Sequence, residues 1–284
     1  MKTFENITEL RGFLKKFHKE DKTIGLVPTM GYLHEGHMSL VKTARKECDI
    51  IVASIFVNPA QFAPNEDLES YPRDLKKDLH LLEKEGCDIV FLPENNEIYN
   101  NDFETYINLE KLPKHLCGLS RPTHFRGVAT VVTKLFNIIQ PGKAYFGQKD
   151  YQQILVIKKL IRDLNVPVKI IMCPIVRNDD GLALSSRNMY LTKDERKDAV
   201  LLHQSLLKGV ERIKAGNKEI NEIIVDIKAI ISQSQHAKVD YISISNGETL
   251  KEIGSIKGYK GLVLLAGAVR FGKSRLIDNE LVEL

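Results

Sequence analysis

Over the first 175 residues, short β-branched runs alternate with longer stretches of helical period. "TIGLV" (Thr23–Val27) precedes the helical "GHMSLVKTARKE". "IIVASIFV" (Ile50–Val57) precedes "PRDLKKDLHLLEKEG", whose last residue, Gly86, suits a helix C-cap. "DIVFLP" (Asp88–Pro93), a helical stretch around Gly127–Ile139 and "KAYFG" (Lys143–Gly147) continue the series, followed by the helical "YQQILVIKKLIRDL" and the strand-like "VPVKIIMCP". Strands that read as apolar runs are buried on both faces, so this alternation predicts a parallel sheet covered by helices on both sides. The rhythm changes after about Pro174. Two long helical patterns, roughly Lys193–Ala215 and Lys218–Ser232, follow each other, the first opened by the capping box "TKDE" at Thr192–Glu195. Strand-like "KVDYISIS" and "GLVLLAG" close the chain. The expected fold class is therefore α/β, with a parallel-sheet domain over residues 1–175 and a smaller α+β domain over residues 176–284.

Composition narrows the function classes. A chain of 284 residues is long enough for one large domain or two ordinary ones. The net charge of +4 is a mild excess, unlike the concentrated basic stripe of a nucleic-acid binder. A few lysines and arginines gathered in one cleft would account for it and would suit a small anionic substrate. Cys48, Cys87, Cys117 and Cys173 are scattered and form no C-x-x-C pair, which fits neither a zinc ribbon nor a disulfide framework and points to a reducing compartment. The first residues lack the apolar core of a signal peptide, and there is no apolar run of about 18 residues. The expectation is a cytoplasmic protein without membrane or nucleic-acid partners.

One motif is conspicuous. "GAVRFGKS" (Gly267–Ser274) matches the phosphate-cradling pattern G-x-x-x-x-G-K-[ST] and follows a strand-like run. The context fails, because only ten residues remain after Ser274 and "LIDN" suggests strand or coil where a phosphate-receiving helix should begin. A turn between two C-terminal strands, with Lys273 an ordinary surface lysine, is the expected reading.

"VPTMGYLHEGHMSLV" (Val27–Val41) offers a better site: a strand end, a Pro/Gly loop and a helix start. Ligands of open α/β sheets bind there, where helix N–H groups are free for anions. His34 and His37 are three residues apart and face one way, ready to donate to a phosphate chain. The zinc-protease helix H-E-x-x-H is excluded, since Met38 occupies the second histidine position. A zinc pair without a third ligand, and two solvent-facing cap histidines, stay open. Other strand-end loops carry similar groups. These are Asn58 and Gln61 in "FVNPAQF", Arg121, His124 and Arg126 in "RPTHFRGV", Lys149, Asp150, Gln152 and Gln153 in "FGQKDYQQ", and Ser185, Ser186, Arg187 and Asn188 in "DGLALSSRNMYL". Each alone could be a plain polar loop. Together they favour an anionic nucleotide site at the sheet edge.

"PTMGYLHEGH", "SIFVNPAQF", "NEDLESYPRDLKKDL", "RPTHFRGVATVVTKLFNIIQP", "AYFGQKDYQQ" and "DGLALSSRN", in this order, resemble the pantoate–β-alanine ligase (pantothenate synthetase) family, and "GLVLLAGAVRFGKSRLIDN" resembles its ending. The resemblance implies a HIGH-type nucleotidyltransferase fold, with a Rossmann-like N-terminal domain, a C-terminal lid and a homodimer. It implies that ATP and (R)-pantoate form pantoyl adenylate and pyrophosphate, that β-alanine then gives pantothenate and AMP, and that Mg²⁺ is the cofactor. His34 and His37 match the phosphate-contacting pair. Lys149, Ser185, Ser186 and Arg187 match the triphosphate and α-phosphate ligands, the last three expected to clamp leaving pyrophosphate. Met30, His34, His37, Gly147, Asp150, Val176 and Leu184 complete the implied ATP site. Met30, Phe56, Asn58, Gln61, His124 and Gln153 form the implied pantoate site, and Asp78 is an implied Mg²⁺-side carboxylate. Gln148 stands where relatives can carry an acidic residue. The competing readings are an adenylyltransferase acting on a phosphate-bearing substrate, a small aminoacyl-tRNA synthetase-like protein, and a nucleotide-sensing regulator.

Overall fold

The computed structural model describes every residue of the chain except Asn65 and Lys218. Six strands form a parallel sheet: β1 (Lys2–Phe4), β2 (Ile24–Thr29), β3 (Ile50–Ile55), β4 (Ile89–Phe91), β5 (Lys143–Gly147) and β6 (Lys169–Cys173). Their spatial order is β1-β4-β3-β2-β5-β6, and every pairing is parallel. The segments between them form α1 (Ile7–Lys19), α2 (Glu35–Glu47), α3 (Leu75–Lys84), the short α4 (Asn95–Ile98) and α5 (Cys117–Ser120), α6 (His124–Ile139) and α7 (Tyr151–Asp163). The apolar runs are buried from both sides, as their composition predicts. Leu10, Leu14, Val128, Leu135, Ile154 and Ile157 of α1, α6 and α7 pack on one face, with Leu26, Val52 and Phe91 from the strands. Met38, Val41, Ala44 and Leu82 of α2 and α3 cover the other face.

After β6 the chain forms α8 (Lys193–Asp198), α9 (Val200–Lys214) and α10 (Ile220–Ile231). A second sheet, β7 (Ala237–Asn246), β8 (Leu262–Phe271) and β9 (Ser274–Glu283), is antiparallel in the order β7-β8-β9. Leu202, Leu206, Ile223 and Ile227 pack against Ile244, Val263, Leu265 and Val269 to give this sheet its own core.

Several boundaries differ from the sequence pattern. The long helix expected over Lys193–Ala215 is interrupted at Ala199, which keeps right-handed helical angles, so its apolar face runs on almost unbroken. The expected start of the next helix, Lys218, lies outside the described residues. Four elements are additional: β1, the short α4 and α5, and α1, whose N-cap Asn6 accepts from the Thr8 and Glu9 amides. The phosphate-loop match is resolved as strand, turn, strand. Gly267 lies inside β8, Gly272 adopts φ 55° in the turn, and Ser274 begins β9. No helix follows to receive a phosphate.

The site's place follows from topology. β2 has β3 on one side and β5 on the other, so the chain runs outward from β2 in both directions. At such a switch point the loops after adjacent strands diverge and leave a crevice beyond their carboxyl ends.

Candidate active site

That crevice is a cleft of about 930 Å³. Its walls are the loop after β2, the Asn58–Gln61 turn, the start of α6, the Gly147–Gln153 segment, Val176, Leu184–Arg187 and the β8–β9 hairpin. Every candidate residue of the sequence pattern's implied ATP and pantoate sites lines it: Met30, His34, His37, Phe56, Asn58, Gln61, His124, Gly147, Lys149, Asp150, Gln153, Val176, Leu184, Ser185, Ser186 and Arg187. The structure then separates side chains with free polar groups from those already committed.

His34 is the N-cap of α2, and the two histidines form a reciprocal cap. His34 Nδ1 accepts from the Gly36 amide at 3.2 Å, and His37 Nδ1 accepts from the His34 amide at 3.3 Å. Burial, then the charge of Lys149, lowers His34 to about 4. Burial, then His34 and Lys149, holds His37 well below its usual value. Both rings are therefore neutral at pH 7. With Nδ1 accepting, the proton of each sits on Nε2, and an N–H is what each ring can still offer. Among the described residues no group of three or more His, Cys, Asp or Glu side chains converges on a metal position, which removes the support for a zinc pair.

Among the amides, Asn58 is spent on structure. Its Nδ2 donates to Gln61 Oε1 at 3.0 Å and to the Gly127 carbonyl at 3.2 Å, while Oδ1 accepts from Tyr99 OH and the Ala60 amide. This fixes Gln61 with its Nε2 at 3.2 Å from Met30 Sδ, leaving one amide hydrogen unused. A Cβ on Gly127 would lie 2.3 Å from the Ala60 carbonyl, so only glycine lets α6 approach this turn. His124 is also committed. Its Nδ1 donates to the Gln61 carbonyl at 3.0 Å and Nε2 accepts from Arg121 at 3.2 Å, with burial and then Arg121 lowering it to about 4. Gln152 holds the Leu112–Cys117 segment through both ends of its amide, whereas Gln153, one helical position on, has no hydrogen-bond partner among the described residues.

The cationic side chains are similarly divided. Arg187 makes a two-pronged pair with Asp67, at 2.8 Å for each nitrogen, and lies over the Tyr71 ring. Burial pushes the Asp67 carboxyl up, but the hydrogen bond and charge of Arg187 outweigh it and leave it below the usual range. Arg121 grips Glu66 at 2.7 and 2.6 Å, and Arg275 grips Asp240 at 2.9 and 2.7 Å. Ser186 Oγ donates to the Tyr32 carbonyl, whereas Ser185 Oγ accepts the Arg187 amide and keeps its own proton to give. Lys149 has a carboxylate no nearer than Asp150, at 3.9 Å. Among the described residues Arg270 and Lys273 have no ion-pair partner. Lys273 is exposed, as expected of a turn, yet it lines the cleft mouth, which corrects its reading as an ordinary surface lysine.

Three further placements depart from expectation. Asp78 is absent from the cleft wall. It is buried under the loop after β2, where its oxygens accept from the Tyr32 and Leu33 amides at 2.8 and 2.7 Å. Burial outweighs those hydrogen bonds and raises its carboxyl. This arrangement shapes the histidine loop and offers no oxygen to a cleft-bound Mg²⁺. Arg126 points away from the cleft and stacks over Tyr106 at 4.2 Å. Asn188 also leaves the wall, donating to the Ala183 carbonyl. Conversely Glu66, Asp67, Tyr71, Arg275 and Asn279 line the cleft although the motifs that contain them give none of them a role. Their positions come from long-range pairing, which one-dimensional spacing does not encode.

Comparison with known proteins decides the family. The pantoate–β-alanine ligase family model matches residues 2–281. The chain belongs to that family. It is 52% identical to the pantothenate synthetase of Acetivibrio thermocellus over 284 residues, covering 100% of both chains. It is 53% identical to that of Pseudothermotoga lettingae over 282 residues, 99% of both. The crystal structure of pantothenate synthetase from Thermus thermophilus superposes with a TM-score of 0.93 at 43% identity, covering 99% of both chains. The pantoate–β-alanine ligase of Francisella tularensis, solved with β,γ-ATP and β-alanine, gives 0.79 at 37% identity, covering 99% of this chain and 97% of that one. The close superposition carries the same architecture, a six-stranded parallel sheet with helices beside a small antiparallel sheet, so the α/β, Rossmann-like fold class holds.

Proposed function

We propose that the protein joins (R)-pantoate to β-alanine in two steps. The pantoate carboxylate attacks the α-phosphorus of ATP, the bond to the β-phosphate breaks, and pantoyl adenylate and pyrophosphate result. The β-alanine amine then attacks the acyl carbon, AMP leaves, and the amine's proton goes to solvent. Family membership supports the ligase activity. The observation that carries the mechanism is the gathering of uncommitted amides, neutral imidazole N–H groups and Lys149 in one cleft at the switch point.

The first obstacle is repulsion between a carboxylate and a polyanion. Gln61 and Gln153 offer uncharged amides to pantoate, with Met30 and Phe56 against its methyl groups. His34 and His37 present neutral N–H donors to the phosphates, and Lys149 adds a charge lacking a close counter-ion. Ser185 and Arg187 receive the departing pyrophosphate. Donors fixed by backbone caps need no reorganisation as charge develops, which is the source of their catalytic value. Gly147, Asp150, Val176 and Leu184 hold the ribose and adenine. Asn58 and His124 act by holding Gln61 and Arg121.

In this reading residues 1–175 bind nucleotide and pantoate, and residues 176–284 form the lid. The chain works as a cytoplasmic homodimer. Mg²⁺, when bound, would serve as counter-ion of the ATP phosphates, since among the described residues no carboxylate cage converges on a metal position and Asp78 turns to the Tyr32 and Leu33 amides. The test is AMP release from ATP, Mg²⁺ and pantoate with and without β-alanine. Sustained AMP that tracks pantothenate only when β-alanine is present is expected. AMP that ignores β-alanine would overturn the ligase reading in favour of hydrolysis.

A further inference from the structure

The β9 strand reaches across to the turn that carries Lys149. Asn279, 3% exposed, donates through Nδ2 to the carbonyls of both Gln148 and Lys149, each at 3.0 Å. Gln148 Nε2 returns a hydrogen bond to Asn279 Oδ1 at 3.3 Å. One amide thus holds two successive carbonyls of a single 3₁₀ turn, Gln148–Asp150, that runs directly into α7. Asn279 is itself braced. Its backbone N–H donates to Asp278 Oδ1 at 2.8 Å, and buried Asp278 takes both prongs of Arg177 at 2.6 and 3.0 Å. Arg177 follows Val176 on the connection leaving β6, and its second nitrogen also reaches Glu280, which meets His203 of α9 at 3.1 Å. The chain of contacts runs from the second sheet and its helices to the backbone beneath Lys149.

We propose that Asn279 is a positioning residue for Lys149, coupling the seating of the second sheet to the placement of the lysine against the ATP phosphates. This rests on the reading of Lys149 as a phosphate ligand. Two carbonyls pinned by one rigid amide fix the two peptide planes that meet at the Lys149 Cα, and with them the direction in which the Lys149 side chain leaves the turn. Gln148 belongs to the same device, because an amide there can donate to Asn279 Oδ1 where a carboxylate could not.

The test is a double-mutant cycle on the full-length enzyme with Asn279→Ala, Lys149→Ala and the combination, read as kcat and KM for ATP and for pantoate. Asn279→Ala is expected to lower kcat/KM for ATP on the order of 10- to 100-fold, the scale of two lost hydrogen bonds at a reacting site. KM for ATP should rise while KM for pantoate holds. Loss of folded protein alone would lower kcat and move neither KM. In the Lys149→Ala background the same change is expected to cost less than about two-fold. A full effect in that background would show that Asn279 does not act through Lys149. Wild-type rates in Lys149→Ala alone would instead remove the phosphate-ligand reading, leaving the two failures distinguishable. Asn279→Asp, which keeps the size but sets an oxygen against the two carbonyls, must give the same signature. If both Asn279 variants fail to fold, the residue belongs to stability and the proposal is overturned.

Discussion

His34 and His37 carry the sharpest consequence for a single pair of residues. Each Nδ1 is occupied by a backbone amide, and burial beside Lys149 keeps both rings neutral. An arriving polyanion favours the charged imidazole and raises its pKa, so ATP binding should take up protons between about pH 4 and 6.5. Calorimetry at pH 6 in two buffers of different ionisation enthalpy measures this. Uptake in the wild type should exceed that in His34→Asn/His37→Asn, which corrects for protonation of ATP itself; equal uptake would rule out the pair as phosphate donors. The same shift acts on folding. The unfolded chain binds these protons below about pH 6.5 and the folded one does not until lower pH, so their contribution to stability is lost as pH falls through that window.

Which residue types would meet at the cleft was readable from strand-end loops, but the roles of neighbours within one loop were not. Asn58 and Gln61 are both amides in one short motif, as are Gln152 and Gln153. Only their partners distinguish them: Asn58 and Gln152 are consumed by backbone carbonyls far along the chain, whereas Gln61 keeps one donor and Gln153 keeps its whole amide. Asp78 shows the same limit, since its two amide partners lie more than forty residues away in sequence.

At the scale of elements, the β8–β9 hairpin shows how a sequence pattern can be right about a ligand class for the wrong reason. Its glycine and lysine form no phosphate loop, because Gly267 is fixed in a strand packed on Leu202 and Ile242. The turn nevertheless brings Lys273 to the mouth of the cleft, one residue from Ser274, whose hydroxyl reaches the Arg187 carbonyl at 3.5 Å. An exposed cation at the rim attracts substrate more than it stabilises the reacting atoms. Lys273→Ala should therefore raise KM for ATP about two- to five-fold at low salt, leave kcat within about two-fold, and lose its effect as salt is added. An unchanged KM at low salt would return Lys273 to the ordinary surface. The parallel strands and most helices were legible because burial on two faces writes a continuous apolar run. β1, three residues long, was not. The strand expected after the Gly272 turn is β9, whose "SRLIDNELVE" mixes charged and apolar positions because one edge of it lines the cleft.

For the whole molecule, the unifying feature is one switch point beside β2, whose cleft is also lined by residues of the second sheet. Asp67 and Glu66, on the loop after β3, hold Arg187 and Arg121, and Asn279 of β9 holds the turn of Lys149. These long-range contacts turn a set of loops into a single site. Such a site should make an activated acyl group and retain it until an amine arrives. The most direct measurement is exchange of labelled pyrophosphate into ATP with pantoate present and β-alanine omitted. Pantoate-dependent exchange is expected, because the adenylate forms reversibly in the cleft without the second substrate. An enzyme that makes pantothenate from all three substrates but shows no such exchange, or exchanges equally well without pantoate, would contradict the account.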